Sequence, residues 1–276
     1  MGYDTLALPF AVTALGDAPG RPAIVLPGGP CRDPAYLESF AEVGREFPLA
    51  VLHPRGTPRS GGRSRGWWND AADVIALADA LDIDEVDLVA HSAGTRLALA
   101  TAARFPDRVR SMLLITPSVA WFVETPSDAA AMLANVPDAA VRDAFAALSE
   151  EPPATEAGFH DQFRRQAPAT YAQWGETERA HANVGGVSLE AATAWFENIP
   201  DDVVDRITAS PRPRTLVIGG DRDLLTGVQP VRDYAEKLDA EFALISDCGH
   251  YPWIEQPTEF HRVAASWLRT VRAHEA

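Results

Sequence analysis

The hydrophobic pattern of the chain alternates between short apolar runs and longer segments in which apolar residues recur at helical spacing. The first runs end in glycine or proline, which is typical of strands that are buried on both faces. Such strands, alternating with helices, predict an α/β fold with a mostly parallel central sheet and helices on both sides. The predicted strands lie within residues 21–29, 47–56, 85–91, 108–117, 212–220 and 240–249.

The segments between these runs predict the flanking helices. Apolar residues recur at helical spacing within 34–47 and 95–105. Asn69 and Asp70 are typical N-cap residues for the helical pattern that follows them. The last helix is predicted to begin near Pro257, because proline is favoured in the first turn of a helix.

The alternation of strands and helices stops between about residues 119 and 206. This segment is rich in alanine, proline and acidic residues, and its pattern predicts several short helices. We expect it to be a helical cap insertion that covers the C-terminal edge of the sheet. The predicted organisation is therefore a first part of the core at 1–118, the cap at 119–206 and a second part of the core at 207–276.

The charge balance of the chain limits its partners. The formal net charge is −15 at pH 7. No basic stripe is available to release counterions from phosphates, so no nucleic-acid partner is expected. No apolar run approaches the length that spans a membrane, so no membrane partner is expected either.

The remaining features of the sequence predict a cytoplasmic protein. The segment 1–17 has no basic region followed by an apolar core, so no secretory signal is expected. The two cysteines, Cys31 and Cys248, form neither a disulfide framework nor a metal-ligand cluster.

A serine stands between small residues where a predicted strand turns into a predicted helix, in the stretch AHSAG. A sharp turn of this kind needs small neighbours on both sides of the serine, Ser92. The usual nucleophile motif is G-x-S-x-G, from which Ala90 departs by one methyl group whereas Gly94 is kept. The turn places Ser92 at the N-terminal end of the helix, where the N–H of Ala93 can help to hold an oxyanion. The alternative interpretation is an ordinary helix cap.

Two further polar positions follow late strands. His250 follows the last predicted strand, so it can act as a general base for Ser92 from the same edge of the sheet. Asp221 and Asp223 follow the preceding strand, and either could orient the imidazole or simply form a turn. The order Ser, Asp, His is the one expected of an α/β-hydrolase.

A glycine-rich turn, PGGP at 27–30, directly follows the first predicted strand. It can supply a second backbone N–H to an oxyanion hole, and Gly29 is the expected donor. Without the serine, histidine and aspartate, the same stretch would be interpreted as a simple turn.

With these motifs the chain resembles the α/β-hydrolase superfamily over nearly its whole length except the insertion. Within it, PGGP and the stretch HPRGTPRS at 53–60 are similar to two motifs of the prolyl aminopeptidase branch, H-G-G-P-G and D-x-R-G-x-G-x-S. The stretch GHYPWIEQP at 249–257 is similar to the GHxPxxExP pattern of that branch. The resemblance implies Asp223 as the catalytic acid, with Asp221 as the alternative.

The chain also departs from that branch. Pro27 replaces a histidine, Cys31 replaces the last glycine of the first motif, and His53 replaces an aspartate. The nucleophile motif AHSAG is nearer to the form found in esterases and carbon–carbon bond hydrolases than to G-G-S-x-G. These changes leave the serine-hydrolase residues intact.

An aminopeptidase would need a carboxylate from the insertion to bind the ammonium group of its substrate. The candidates are Glu197, beside Trp195, and Glu176, beside Trp174. The two tryptophans would then contribute to the substrate pocket. The alternative is that both pairs simply belong to amphipathic helices.

The sequence therefore predicts a serine hydrolase that cleaves an ester, lactone or amide bond of a small to medium substrate through an acyl-enzyme. The expected partner is a small molecule or a short peptide, and neither a metal nor an organic cofactor is required. Epoxide hydrolases and haloalkane dehalogenases are excluded because they use an aspartate nucleophile. A cofactor-free lyase and a non-catalytic ligand-binding module on the same fold are the alternatives.

Overall fold

The computed structural model describes residue 3 and residues 6–273. Residues 1, 2, 4 and 5, which belong to the segment considered for a secretory signal, lie outside the described residues. All the predicted strands are present, and one further strand precedes them. The strands are β1 Val12–Leu15, β2 Ala23–Leu26, β3 Leu49–Leu52, β4 Val86–His91, β5 Val109–Ile115, β6 Arg214–Gly220 and β7 Glu241–Ile245.

The strands form one sheet in the order β1-β3-β2-β4-β5-β6-β7. Every neighbouring pair is parallel except β1 with β3, in which Val12 lies opposite Leu52. The predicted mostly parallel sheet is confirmed. Strand β1 is not predicted because only Val12 is fully buried in it, so it lacks a continuous apolar run.

Helices flank the sheet, and the prediction that the last helix begins at Pro257 is confirmed. None of the described helices is both long and apolar enough to cross a membrane. The helices are α1 Trp67–Ala80, α2 Gly94–Arg104, α3 Ala129–Leu133, α4 Ala139–Phe145, α5 Glu156–Gln166, α6 Glu176–Ala182, α7 Leu189–Trp195, α8 Val203–Ala209, α9 Gln229–Lys237, α10 Pro252–Glu255 and α11 Pro257–Ala273.

Side chains of the strands alternate between two hydrophobic cores on opposite faces of the sheet. In β2, Ile24 and Leu26 belong to the first core, whereas Ala23 and Val25 belong to the second. Helices α1, α2 and α9 pack on the first face and α11 packs on the second. Because β2 to β7 run parallel, the loops that follow them meet at one edge of the sheet, the C-terminal edge.

The segment 34–47 forms two 3₁₀ helices rather than one continuous helix. Ala41 and Glu42 lie in the left-handed region, with φ of 50° and 62°. L-residues in that region cannot continue a right-handed helix.

The N-cap prediction at Asn69 and Asp70 is wrong. Helix α1 begins at Trp67 and its N-cap is Gly66. The Asp70 carboxylate instead accepts a hydrogen bond of 2.6 Å from Ser64 Oγ. The helix starts earlier because the two tryptophans that open it are buried in the core.

Helices α3 to α8 replace the strand–helix alternation between β5 and β6. Trp195 of α7 and Ile207 of α8 pack into the first core, whereas α3 and α4 contribute Ala129 and Val141 to a separate small cluster. The division of the chain into core and cap at residues 119 and 206 stays a prediction.

Candidate active site

Ser92 follows β4 on the sharp turn that leads into α2. Its φ is +51°, in the left-handed region, where a non-glycine residue costs about 1–2 kcal/mol. The N–H of Ser92 donates a 2.9 Å hydrogen bond to the carbonyl of Ile115, which ends the neighbouring strand. The turn is therefore held by the sheet in a strained conformation that presents the serine at the strand ends.

Close packing around the turn explains which small residues are required. A Cβ at Gly94 would lie 2.4 Å from the carbonyl oxygen of Leu26, and a Cβ at Gly28 would lie 2.8 Å from Ser92 Cβ. Ala90, in contrast, is fully buried in the first core and its methyl group is accommodated. Of the two glycines in G-x-S-x-G, this turn needs only the second.

His250 and Asp223 form a buried hydrogen-bonded pair. His250 Nδ1 lies 2.8 Å from Asp223 Oδ2, and the two side chains are 2% and 0% exposed. The carboxylate also accepts hydrogen bonds from the Thr226 hydroxyl at 2.7 Å and from the Leu225 N–H at 3.0 Å. Because the carboxylate accepts at Nδ1, the imidazole carries its proton there and Nε2 is free to accept one.

Asp221, the alternative acid, makes a different contact. Its carboxylate accepts a 3.2 Å hydrogen bond from the N–H of Cys248 and so supports the turn before the histidine loop. The residue that contacts the imidazole of His250 is Asp223.

The loop that carries His250 is fixed from several sides. The His250 N–H donates to the carbonyl of Thr170 at 2.8 Å, and the His250 carbonyl accepts from the Thr116 hydroxyl at 3.0 Å. Glu255, from the predicted GHxPxxExP pattern, accepts from the N–H groups of Ala172 and Gly249 at 2.6 and 3.0 Å. These bonds join the loop to the insertion as well as to the core.

Ser92 and His250 line the same cavity, which has a volume of about 560 Å³. Gly29 and Ala93 line it as well. The four positions come from loops that follow β2, β4 and β7, at the C-terminal edge of the sheet. The structure thus brings together the four residues that the sequence predicts as nucleophile, base and oxyanion-hole donors.

Of the backbone N–H groups of Gly28, Gly29 and Ala93, one is already hydrogen-bonded within the described part of the protein and two are not. The Gly28 N–H donates to the Tyr36 hydroxyl at 2.6 Å. Within residues 6–273, neither the Gly29 N–H nor the Ala93 N–H donates to a protein acceptor. Gly29 is therefore the available donor of the glycine-rich turn, as predicted.

Tyr36 and His91 connect the glycine-rich turn at 27–30 to the loop that carries His250. The sequence analysis did not identify either residue. Since the Tyr36 hydroxyl accepts from Gly28, it donates its own proton to His91 Nδ1, 2.9 Å away. His91 Nε2 then donates to the carbonyl of His250 at 3.1 Å. Burial, and next the nearby His250, lower the pKa of His91 well below its usual value, so this ring stays neutral.

The predicted substrate-binding residues of the insertion are not brought to the cavity. Glu197 is half-exposed and pairs with Arg63 at 2.6 Å. Trp195 is buried in the first core, and Trp174 packs against Tyr171, with ring centroids 5.5 Å apart. None of the three lines the cavity, nor does Glu176. Short helices place side chains by tertiary packing, which their sequence does not reveal.

The insertion contributes other residues to the cavity wall, and most of them are apolar. No aspartate or glutamate among the described residues lines the cavity, and Arg32 is its one lining arginine or lysine. The apolar wall residues from the insertion include Leu148, Pro152, Phe159, Phe163, Tyr171 and Phe196.

Comparison with known proteins agrees with this fold. A family model described as alpha/beta hydrolase fold matches residues 24–257. The chain is 29% identical over 219 residues to a 2-hydroxymuconate semialdehyde hydrolase of Pseudomonas sp. (strain CF600), covering 74% of this chain and 69% of that protein. It is 27% identical to a 2-hydroxymuconate semialdehyde hydrolase of Pseudomonas putida, covering 97% of this chain and 94% of that protein.

Among solved structures, a thermophilic esterase from Thermogutta terrifontis superposes with a TM-score of 0.68. It is 22% identical in sequence and covers 95% of this chain and 93% of its own. At that identity the likeness concerns the fold. No prolyl aminopeptidase is among these proteins.

Proposed function

The chain belongs to the α/β-hydrolase family, and from this premise we propose that it is a serine hydrolase that transfers an acyl group first to Ser92 and then to water. The observation that carries the proposal is the buried hydrogen bond between His250 and Asp223 beside a cavity that also holds Ser92 on its strained turn. A nucleophile, a base and a residue that orients the base are the three parts such chemistry needs.

In the first step, Nε2 of His250 takes the proton of the Ser92 hydroxyl while its oxygen attacks the carbonyl carbon of the substrate. Asp223 stabilises the imidazolium through the bond to Nδ1. The N–H groups of Gly29 and Ala93 donate to the oxyanion as it forms. The protonated His250 then gives its proton to the leaving group, which departs.

In the second step, water replaces the leaving group in the cavity. His250 takes a proton from this water, which attacks the acyl-enzyme, and the same two N–H groups hold the second oxyanion. Proton return from His250 to Ser92 releases the acid. His250 thus carries every proton in both steps.

The cavity wall narrows the substrate class. A volume of about 560 Å³ with mostly apolar walls suits a small to medium acyl compound. Because no carboxylate lines it among the described residues, the cavity offers no partner for the ammonium group of a peptide N-terminus. We therefore propose ester or lactone cleavage and do not propose aminopeptidase activity.

A second candidate reaction is hydrolysis of a carbon–carbon bond next to a carbonyl group. The two relatives named 2-hydroxymuconate semialdehyde hydrolase favour it, together with the AHSAG form of the nucleophile motif. The cavity can hold such a substrate with its carbonyl at the same N–H groups. Substrate assays distinguish the two reactions.

A substrate panel tests the proposal. It contains 4-nitrophenyl esters of short acids, lactones, a vinylogous 1,5-diketone and proline 4-nitroanilide, each with the wild type and with Ser92→Ala. We expect turnover of an ester, lactone or diketone. The nitrophenyl ester should also give a burst of one 4-nitrophenolate per protein as Ser92 is acylated. The variant should lose both the turnover and the burst. Turnover that survives Ser92→Ala, or proline anilide as the best substrate, would overturn it. Substrate conversion without incorporation of oxygen from labelled water into the product would favour a lyase, and no conversion of any compound would favour a ligand-binding module.

A further inference from the structure

Arg32 is a buried cation in the wall of the cavity. Arg32 is only 2% exposed to solvent. The guanidinium carbon lies 4.5 Å from the ring centroid of Tyr36, 5.2 Å from that of Phe163 and 5.8 Å from that of Tyr251. These three rings line the cavity together with Arg32. The positive charge is therefore held inside the site rather than at its entrance.

Among the described residues, the acceptors of the Arg32 guanidinium are neutral. Nε donates to the carbonyl of Gly185 at 3.1 Å, Nη1 donates to the Tyr251 hydroxyl at 3.0 Å, and Nη2 donates to the carbonyl of Val184. A guanidinium has five N–H donors, so one N–H on each Nη atom remains available. The Tyr251 hydroxyl, which accepts from Arg32, also keeps its own proton available for donation.

The charge of Arg32 has no carboxylate partner among the described residues. The half-buried Arg55 is paired with Asp73 through two hydrogen bonds of 2.7 and 2.9 Å. Arg96, which is also half-buried, instead donates to the Ser118 hydroxyl at 3.2 Å. The chain carries 39 acidic and 24 basic residues, so acidic side chains are in excess. Burying a charge without a counter-ion is unfavourable, and an incoming anion removes that cost.

Arg32 closes the glycine-rich turn, since its N–H donates to the carbonyl of Gly29 at 2.5 Å. Its side chain packs on Gly29, where an added Cβ would lie 3.2 Å from Arg32 Cβ. The neighbouring Gly28 lies against Ser92, since an added Cβ there would be 2.8 Å from Ser92 Cβ. The turn that supplies the oxyanion donor therefore also positions the cation.

We propose that Arg32, assisted by the Tyr251 hydroxyl, binds a carboxylate group of the substrate, so that the enzyme is selective for small acyl compounds that carry a free carboxylate. The substrate selectivity rests on the proposed hydrolase function, whereas the contacts of Arg32 do not depend on which bond is cleaved. Two N–H donors on the two Nη atoms suit the two oxygens of a carboxylate. A purely structural role, in which Arg32 only ties the loop 184–185 of the insertion to the core, makes a different prediction.

A matched pair of substrates separates the two roles. The anionic member is the mono-4-nitrophenyl ester of glutaric acid, and the neutral member is its methyl ester. We expect the wild type to prefer the anionic ester in kcat/KM by about 10-fold to 100-fold, the range for a charge-assisted hydrogen bond. In Arg32→Gln, the ratio of the two kcat/KM values should fall to about one, because the anionic ester loses its charge partner and the neutral ester never had one. Arg32→Lys should restore part of the preference because it keeps the charge.

Arg63→Gln is the control for net charge, since Arg63 is half-exposed and pairs with Glu197 outside the cavity. It should leave the ratio of the two esters unchanged. An equal loss for both esters in Arg32→Gln would show a structural role and overturn the proposal. Equal or greater wild-type activity on the neutral ester would also overturn it.

If the wild type hydrolyses neither ester, the substrate panel still tests the hydrolase proposal, and binding alone tests Arg32. Calorimetric titration of glutarate into the Ser92→Ala variant should then show binding that weakens by at least about tenfold when Arg32→Gln is added. Absence of binding, or binding that the added substitution does not weaken, would overturn the assignment of Arg32. Circular dichroism of each variant verifies that it is folded.

Discussion

Asp223 holds the imidazole of His250 through a 2.8 Å hydrogen bond between Oδ2 and Nδ1, and both side chains are almost completely buried. The same carboxylate is fixed by Thr226 and by a backbone N–H. Orientation and tautomer of the histidine therefore depend on one acid. Its neighbour Asp221 provides a control two residues away.

Asp223→Asn should lower kcat by about 10³-fold to 10⁴-fold, because the amide favours the wrong tautomer of His250. Asp221→Asn should lower kcat by less than about tenfold, since Asp221 supports only the Cys248 N–H. Steady-state kinetics on the best ester of the panel measures both. A larger loss for Asp221→Asn than for Asp223→Asn would show that the acid is misassigned.

His91 should act as a positioning residue through the carbonyl of His250. His91→Leu removes both the acceptor for the Tyr36 hydroxyl and the donor to that carbonyl, and should lower kcat by about tenfold or more with little change in KM. His91→Gln keeps one acceptor and one donor and should recover part of the loss. Equal kcat values for the two variants would contradict this role.

The strained turn at Ser92 predicts a difference in stability between two inactive variants. Glycine adopts a φ of +51° without the steric cost that a Cβ brings. After the greater entropy of the unfolded glycine chain is included, Ser92→Gly should be more stable than Ser92→Ala by up to about 1 kcal/mol. The free energies of unfolding of the two variants, measured in urea, test this difference. A more stable alanine variant would contradict the inferred strain at residue 92.

Three buried histidines predict acid sensitivity of the fold. Burial lowers the pKa of His53 to about 4 and that of His181 to about 4, and lowers that of His91 well below its usual value. The unfolded chain takes up protons at these groups below about pH 6.5. In the folded chain His53 and His181 do so only near pH 4, and burial keeps His91 neutral well below its usual pKa. Their contribution to stability is therefore complete above pH 6.5 and is lost as the pH falls from 6.5 to 4, at no more than about 1.4 kcal/mol per pH unit for each histidine.

His53→Gln tests this dependence away from the cavity, because every other titrating group is shared with the wild type. The free energy of unfolding should fall less between pH 7 and pH 5 in the variant than in the wild type. Urea denaturation at the two pH values provides the comparison. An equal or larger fall in the variant would contradict the neutral buried state of His53.

Much of the fold follows from sequence because its strands are continuous apolar runs. The strands β2 to β6 are buried along nearly their whole length, and their alternation with helices predicts the parallel sheet. Strand β1 escapes prediction because it is an edge strand with one buried residue, Val12. The start of α1 at Trp67 depends on tertiary burial, which outweighs the local preference of Asn69 and Asp70 for an N-cap.

In the candidate site, too, some residues follow from the sequence and others depend on tertiary contacts. Ser92, His250 and Gly29 each lie at a strand end, so the topology alone predicts that they meet at one edge of the sheet. The choice between Asp221 and Asp223 depends on side-chain direction in one turn, which no spacing determines. Tyr36 and Arg32 act through contacts with distant loops, so their roles become visible only in the folded chain.

The central claim, that Ser92 is a nucleophile activated by His250 and Asp223, is tested most directly by covalent labelling with a fluorophosphonate probe. Intact mass and peptide mapping should show one adduct per chain, attached to Ser92, absent in Ser92→Ala and formed far more slowly in Asp223→Asn. A folded wild-type protein that stays unlabelled, or an adduct on another residue that persists in Ser92→Ala, would contradict the account.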